Sequence, residues 1–185
     1  LQRDYIISRQ RKEQELAELP AKIERQKDHI ANTEEDIKYY YENKIDYKEM
    51  DYEDQKEIRD LIFSAVKTHK NQPVEKKVLT YQGFDVVVPA RMIPKQPAAK
   101  KNETEENESA KRELISYVFV KRNGSYYMEI ESLQGITKRL NNLLEDLPKA
   151  KIRREGVLET LQNKKSILEA ELAKKGESYA TQIAQ

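Results

Sequence analysis

Cysteine is missing from this sequence altogether. No disulfide can staple the fold, and no thiolate is available as a nucleophile or metal ligand, which fits a reducing, cytoplasmic setting. There are two histidines, His29 and His69. A zinc site would therefore need carboxylates, in a spacing the chain does not show. His29 stands beside an apolar stripe residue, Ile30, and reads as a solvated helical side chain. His69 falls near a helix end, where an imidazolium complements the negative dipole. Glycine occurs five times, at 83, 124, 135, 156 and 176. None of these positions forms a phosphate-cradling loop or a dinucleotide fingerprint. No run approaches the roughly 18 apolar residues of a membrane span. The opening Leu1-Gln2-Arg3-Asp4 has neither methionine nor a signal-peptide pattern, and the chain is expected to be a piece of a longer protein.

An excess of charge of one sign is also lacking. The 34 basic and 33 acidic residues leave a net charge of +1, so no global field draws DNA, an anionic membrane or an acidic partner. Charged residues make up 36% of the chain and mean hydropathy is −0.93. Such a composition is too polar for one compact globule and suits long helices with solvated faces.

Aromatic side chains are segregated. Of the 14 Tyr and Phe residues, 12 lie between Tyr39 and Tyr127. Long helices do not need large rings, whereas a small packed domain does. The order is therefore arm, globule, arm. In the first arm Leu16, Ile23, Ile30 and Ile37 repeat every seven residues. Leu19, Gln26, Thr33 and Tyr40 fill the second stripe position, with Gln26 and Thr33 as polar interruptions. In the last arm Leu133, Leu140, Leu147, Leu161 and Leu168 share one register, broken by Arg154. Ile136, Leu143, Ala150 and Val157 form a second line, and Leu144, Leu158 and Leu172 widen it. Each arm of about 40 residues is roughly 60 Å of helix. Pro20 and Pro148 should each kink its helix or begin a new one.

The centre carries strand signals. Val78–Tyr81 and Phe84–Val88 flank Gln82-Gly83. Leu114–Lys121 and Ser125–Ile130 flank Asn123-Gly124, a pair that favours a type I′ turn. Ile45–Tyr52 could add a short strand. Asp51 or Asp54 can cap a helix bearing Ile58, Leu61, Ile62, Ala65 and Val66. Residues 94–111 have no large apolar side chain and read as an exposed polar loop. The expected fold is α+β: a long antiparallel two-helix coiled-coil stalk carrying a small head with about four or five antiparallel strands and one helix. The expected boundaries are 1–43 for the first stalk helix, 44–132 for the head and 133–185 for the second stalk helix.

Candidate chemistry is sparse. Carboxylate groups such as Glu34-Glu35-Asp36 alternate with lysines and read as solvated faces. The tyrosines Tyr39-Tyr40-Tyr41 point three ways around a helix, which suits the junction of arm and sheet. Basic groupings point to phosphate contact: Lys121 and Arg122 at the hairpin, Lys138 and Arg139 on the next helix, then Lys149, Lys151, Arg153 and Arg154 after Pro148. Tyr126 and Tyr127 nearby could stack on bases. Alternatively, these cations simply balance Glu145, Asp146, Glu155 and Glu159.

The stretch Tyr81–Val88 ("YQGFDVVV"), the strand "SYYMEI" and Gly135–Pro148 ("GITKRLNNLLEDLP") resemble the far C-terminal region of large helicase/DNA-methylase proteins of bacterial conjugative elements and phages. Gly83, Phe84, Gly135, Arg139, Leu140, Asn142 and Leu143 carry the resemblance. It implies a non-catalytic accessory module of a DNA-processing protein, with no cofactor or metal of its own. The partners it implies are DNA and the upstream domains of the same chain. No motor or methylase motif falls within these residues, so no catalytic residue is carried over. The resemblance treats Arg139 and Asn142 as structural, tying the helix start to the sheet. The alternative is a coiled-coil structural element that forms a homodimer through its arms, without nucleic acid.

Overall fold

The computed structural model describes residues 2–69, 72–90, 116–130, 132 and 134–183. Helix α1 spans Gln2–Asn43, a 3₁₀ turn Tyr47–Glu49, and α2 Tyr52–Thr68. Strands β1 (Lys76–Tyr81), β2 (Phe84–Val88), β3 (Ser116–Lys121) and β4 (Ser125–Ile130) follow, then α3 (Ile136–Glu145) and α4 (Leu147–Ile183). The fold is α+β with an antiparallel sheet in the order β1-β2-β3-β4. Two compact units emerge, one formed by 1–34 with 148–185 and the other by 35–147.

In the first unit the two helical segments run antiparallel. Lys12 pairs with Glu171 at 2.7 Å, Glu15 with Lys164, and Glu34 with Lys151 at 3.0 Å, so partner numbers fall along one helix as they rise along the other. Leu19, Ile23 and Leu168 are buried. Helix α1 runs unbroken through Pro20, whose neighbours Leu19 and Ile23 are 1% and 7% exposed. Burial on both sides offsets the lost backbone donor, which would cost about 3 kcal/mol in an exposed helix. At Pro148 a new helix does start. Asp146 ends α3, and Pro148 falls in the first turn of α4, where its missing N–H has no intrahelical partner to lose. Val157, expected in the second apolar line, is 49% exposed.

The polar interruptions of the two stripes meet one another. The Gln26 side chain donates to the Arg154 carbonyl at 2.9 Å. The Arg154 guanidinium donates to the Thr33 hydroxyl and to the His29 carbonyl, and Thr33 is fully buried. Each residue alone looks like a defect in a heptad pattern. Together they form one satisfied polar layer, a device that fixes helix register at some cost in stability.

In the second unit β4 alternates buried and exposed as a half-buried antiparallel strand should, whereas β2 buries three consecutive valines, Val86 to Val88. Val86, Val118, Val120, Tyr126, Met128 and Ile130 are buried on the inner face. Helices α2 and α3 pack on the sheet and on each other, with Ile62 and Ala65 of α2 and Ile136, Leu140 and Leu144 of α3 buried. Leu61, expected to join that core, is 44% exposed. Asp51 occupies the N-cap of α2 but makes no side-chain cap bond. Helix α3 begins at Ile136 after Gly135, which holds φ +73°. Leu133 and the polar loop 94–111 lie outside the described residues.

Three local expectations are corrected. Ile45–Tyr52 forms no strand. The Gln82 side chain accepts from the Ile45 N–H at 3.0 Å and donates to its carbonyl at 2.9 Å, standing in for a neighbouring strand, and Asp46 then caps the 3₁₀ turn. The positive-φ turn falls at Gln82-Gly83 (φ 48° and 83°), not at Asn123-Gly124. The latter hairpin exists, but with a three-residue loop between paired Lys121 and Ser125. The tie between α3 and the rest of the core runs through Glu145, whose carboxylate accepts from the Tyr40 hydroxyl at 2.9 Å; Asn142 is exposed.

Candidate nucleic-acid interface

Strands β3 and β4 place alternate side chains on the outer sheet face. Cross-strand pairing sets Phe119 opposite Tyr127 and Val87 opposite Phe119. Tyr117, Phe119 and Tyr127 form a cluster, with ring centroids 4.9 Å apart for Tyr117–Tyr127, 5.7 Å for Tyr117–Phe119 and 6.1 Å for Phe119–Tyr127. Tyr127 is 48% exposed. The Lys121 ammonium lies 5.7 Å from the Phe119 centroid and pairs with Glu75 at 2.8 Å. The Tyr127 hydroxyl donates to Glu129 at 3.2 Å. Tyr126, expected near solvent beside Tyr127, points inward instead and is buried.

The strongest polar construction lies on the other side of that hairpin. Asp36 is fully buried, although its acidic run reads in sequence as a solvated face. Its carboxylate accepts from the Asn123 N–H at 3.1 Å, the Gly124 N–H at 2.7 Å, the Tyr126 hydroxyl at 2.7 Å and the Arg122 guanidinium at 3.2 Å. These four donors make a buried anion tolerable. They also draw the loop into its three-residue form. Arg122 lies over the Tyr39 ring, 3.8 Å from its centroid. Its guanidinium is thus engaged from both sides and acts within the fold. The sequence contains no motif for this clasp; an acidic residue in a helix three residues before a tyrosine run is an ordinary pattern.

The tyrosine triplet divides as its helical spacing requires. Tyr39 packs edge-on against Phe84, Tyr40 is buried, and Tyr41 is 43% exposed. The Tyr40 hydroxyl donates to Glu145 at 2.9 Å. Burial first, and the Glu145 bond second, push its pKa well above the ordinary phenol value. Tyr41 donates to the Glu145 carbonyl at 3.0 Å, and Lys44 pairs with the same carboxylate at 3.2 Å.

The eight expected phosphate contacts divide between the two units. Lys121, Arg122, Lys138 and Arg139 belong to the unit 35–147, and Lys149, Lys151, Arg153 and Arg154 to the other. Arg139 donates to the Ser132 hydroxyl at 3.3 Å. Lys151 bridges Glu34 and Glu155, and the Glu34 bond raises its pKa above the usual lysine value. Arg154 serves the polar layer. Lys138, Lys149 and Arg153 are exposed to solvent. Among the described residues no group of three or more His, Asp or Glu could hold a metal ion, and no helix is long and apolar enough to cross a membrane. In comparison with known proteins, no family model, no curated protein and no solved structure matches the chain.

Proposed function

We propose that the chain is a non-catalytic accessory module of a large DNA-processing protein of the helicase/methylase kind, placing its parent on DNA. The observation that carries this reading is the outer sheet face, where the half-exposed Tyr127 clusters with the partly buried Tyr117 and Phe119 and the Lys121 ammonium lies 5.7 Å from the Phe119 ring. An exposed ring beside positive charge suits contact with nucleic-acid bases and phosphates. The sequence resemblance of Gly83-Phe84 and Gly135–Pro148 points the same way. In this reading the antiparallel helices of the first unit are a coiled-coil stalk, and Lys138, Lys149 and Arg153 supply exposed phosphate contacts. The test is binding of labelled DNA to the full chain at low salt. Charge reversal at Lys138, Lys149 and Arg153 should weaken binding and flatten its salt dependence by about one slope unit per lost phosphate contact. Unchanged affinity and salt slope would refute it.

A second reading, a coiled-coil oligomerisation element, is favoured by Ile152, Val157 and Ile167 of α4, which are 66%, 49% and 57% exposed. Light scattering across concentration separates the two: the accessory module stays monomeric, and the oligomerisation element does not.

A further inference from the structure

We infer that the outward side of α4 pairs with the same helix of a second copy, running parallel to it. This rests on the coiled-coil oligomerisation reading above and names the partner, the face and the direction. At about 3.6 residues per turn, Ile152, Gly156, Asn163 and Ile167 fall within about 60° of one another, on the side of α4 opposite Arg154 and Leu168. Arg154 bonds to α1 and Leu168 is buried, so the stripe points away from the helix pair. Ile152 and Ile167 are exposed. At Gly156 nothing lies within 4 Å of the place a Cβ would take, so a second backbone has room to approach. A parallel copy covers each isoleucine with its own counterpart and takes both out of water.

Charge complementarity selects the occupant and its direction. Arg153 flanks the stripe on one side and Glu159 on the other. Both are exposed, and neither has an ion-pair partner among the described residues. In a parallel pair the unlike flanks meet, so Arg153 of each copy faces Glu159 of the other. An antiparallel pair that set Ile152 against Ile167 would join like flanks and bring Glu159 beside its own counterpart. Asn163 is exposed, has no side-chain partner among the described residues, and lies within the stripe. In a parallel pair it meets itself, and one amide donates to the other, as a central asparagine does when it fixes register and strand number. The stripe from Ile152 to Ile167 is about 22 Å long, so the pair is a weak and concentration-dependent one.

The test is sedimentation equilibrium of the full chain over a wide concentration range, where a reversible dimer is expected. Ile152→Glu together with Ile167→Glu should weaken association roughly tenfold or more. Both side chains are exposed, so this variant should melt with the wild type. Arg153→Glu alone and Glu159→Arg alone should each weaken the dimer, and the two together should restore it, because each reversed charge again meets its opposite. Ile152→Cys and Ile167→Cys, made separately in a chain that otherwise lacks cysteine, should each cross-link to their own kind on oxidation. In an antiparallel pair only a mixture of the two would. A dimer that survives the double glutamate change, or that cross-links only in the mixture, overturns the inference while leaving the oligomerisation reading standing. A chain that is monomeric at every concentration overturns both and leaves the stripe to a different protein.

Discussion

Asp36→Ala removes one side chain and strands four donors. The Arg122 guanidinium loses its counter-charge, and the Asn123 N–H, Gly124 N–H and Tyr126 hydroxyl lose their acceptor. Breaking a buried charge pair on one side costs about 3–5 kcal/mol. Here Arg122 is 30% exposed at its side chain, so water recovers part of that loss. The backbone donors are less easily rehydrated, at about 1–3 kcal/mol each when left unmet. The expected loss is therefore about 3–4 kcal/mol. Asp36→Asn keeps the shape and one acceptor oxygen, and should cost roughly half as much. Tyr126→Phe removes a single hydroxyl and should cost about 1–2 kcal/mol. Urea unfolding followed by far-UV circular dichroism measures all three. The order Ala, Asn, Phe is the essential result. A loss below about 1 kcal/mol for Asp36→Ala would show that the clasp is not what holds the β3–β4 loop.

Two glycines should respond with opposite sign to alanine. At Gly83, with φ +83°, a Cβ would collide with the Tyr39 ring and hydroxyl, so Gly83→Ala should lower the melting temperature. At Gly156 nothing lies within 4 Å and the backbone is helical, so Gly156→Ala should add about 0.5–1 kcal/mol. Arg154→Leu should destabilise by about 1–3 kcal/mol in chemical denaturation by removing the charge-assisted bonds to the Thr33 hydroxyl and the His29 carbonyl; the Thr33 hydroxyl keeps its own bond to the His29 carbonyl at 2.7 Å. In the folded state the Tyr40 phenol ionises above its ordinary value of 10.0, so the unfolded chain loses its proton first as pH rises. Tyr40 therefore contributes stability that is full below pH 10.0 and is lost at higher pH, and Tyr40→Phe should make the alkaline limb of a stability profile shallower.

Periodicity made the helices legible. The alternation of Tyr117-Val118-Phe119-Val120 and Tyr126-Tyr127-Met128 likewise marked strands whose inner and outer residues the structure separates cleanly. What periodicity could not show were long-range polar partners. Asp36 lies 88 residues from Gly124, and nothing near either residue announces the bond. Its pull on the loop also displaced the turn type that Asn123-Gly124 favours locally. Gln82 misled in the same way, because its side chain satisfies Ile45 and removes the need for a strand there. The basic residues were visible as a set, but sequence gives no account of which cations are consumed internally. Arg122, Lys151 and Arg154 look in sequence like Lys138 and Arg153, and the fold gives them different work.

The polar layer of Gln26, Thr33 and Arg154 has a bearing on how this helical pair tolerates changes in length. A single added residue on either side of it would rotate everything beyond by about 100° and turn the apolar stripe to water. Sliding one helix by a heptad would move the guanidinium from Thr33 to Gln26 or Tyr40 and take it away from the buried hydroxyl. Insertions should therefore survive only as matched blocks of seven, one in each helix, on the same side of the notch.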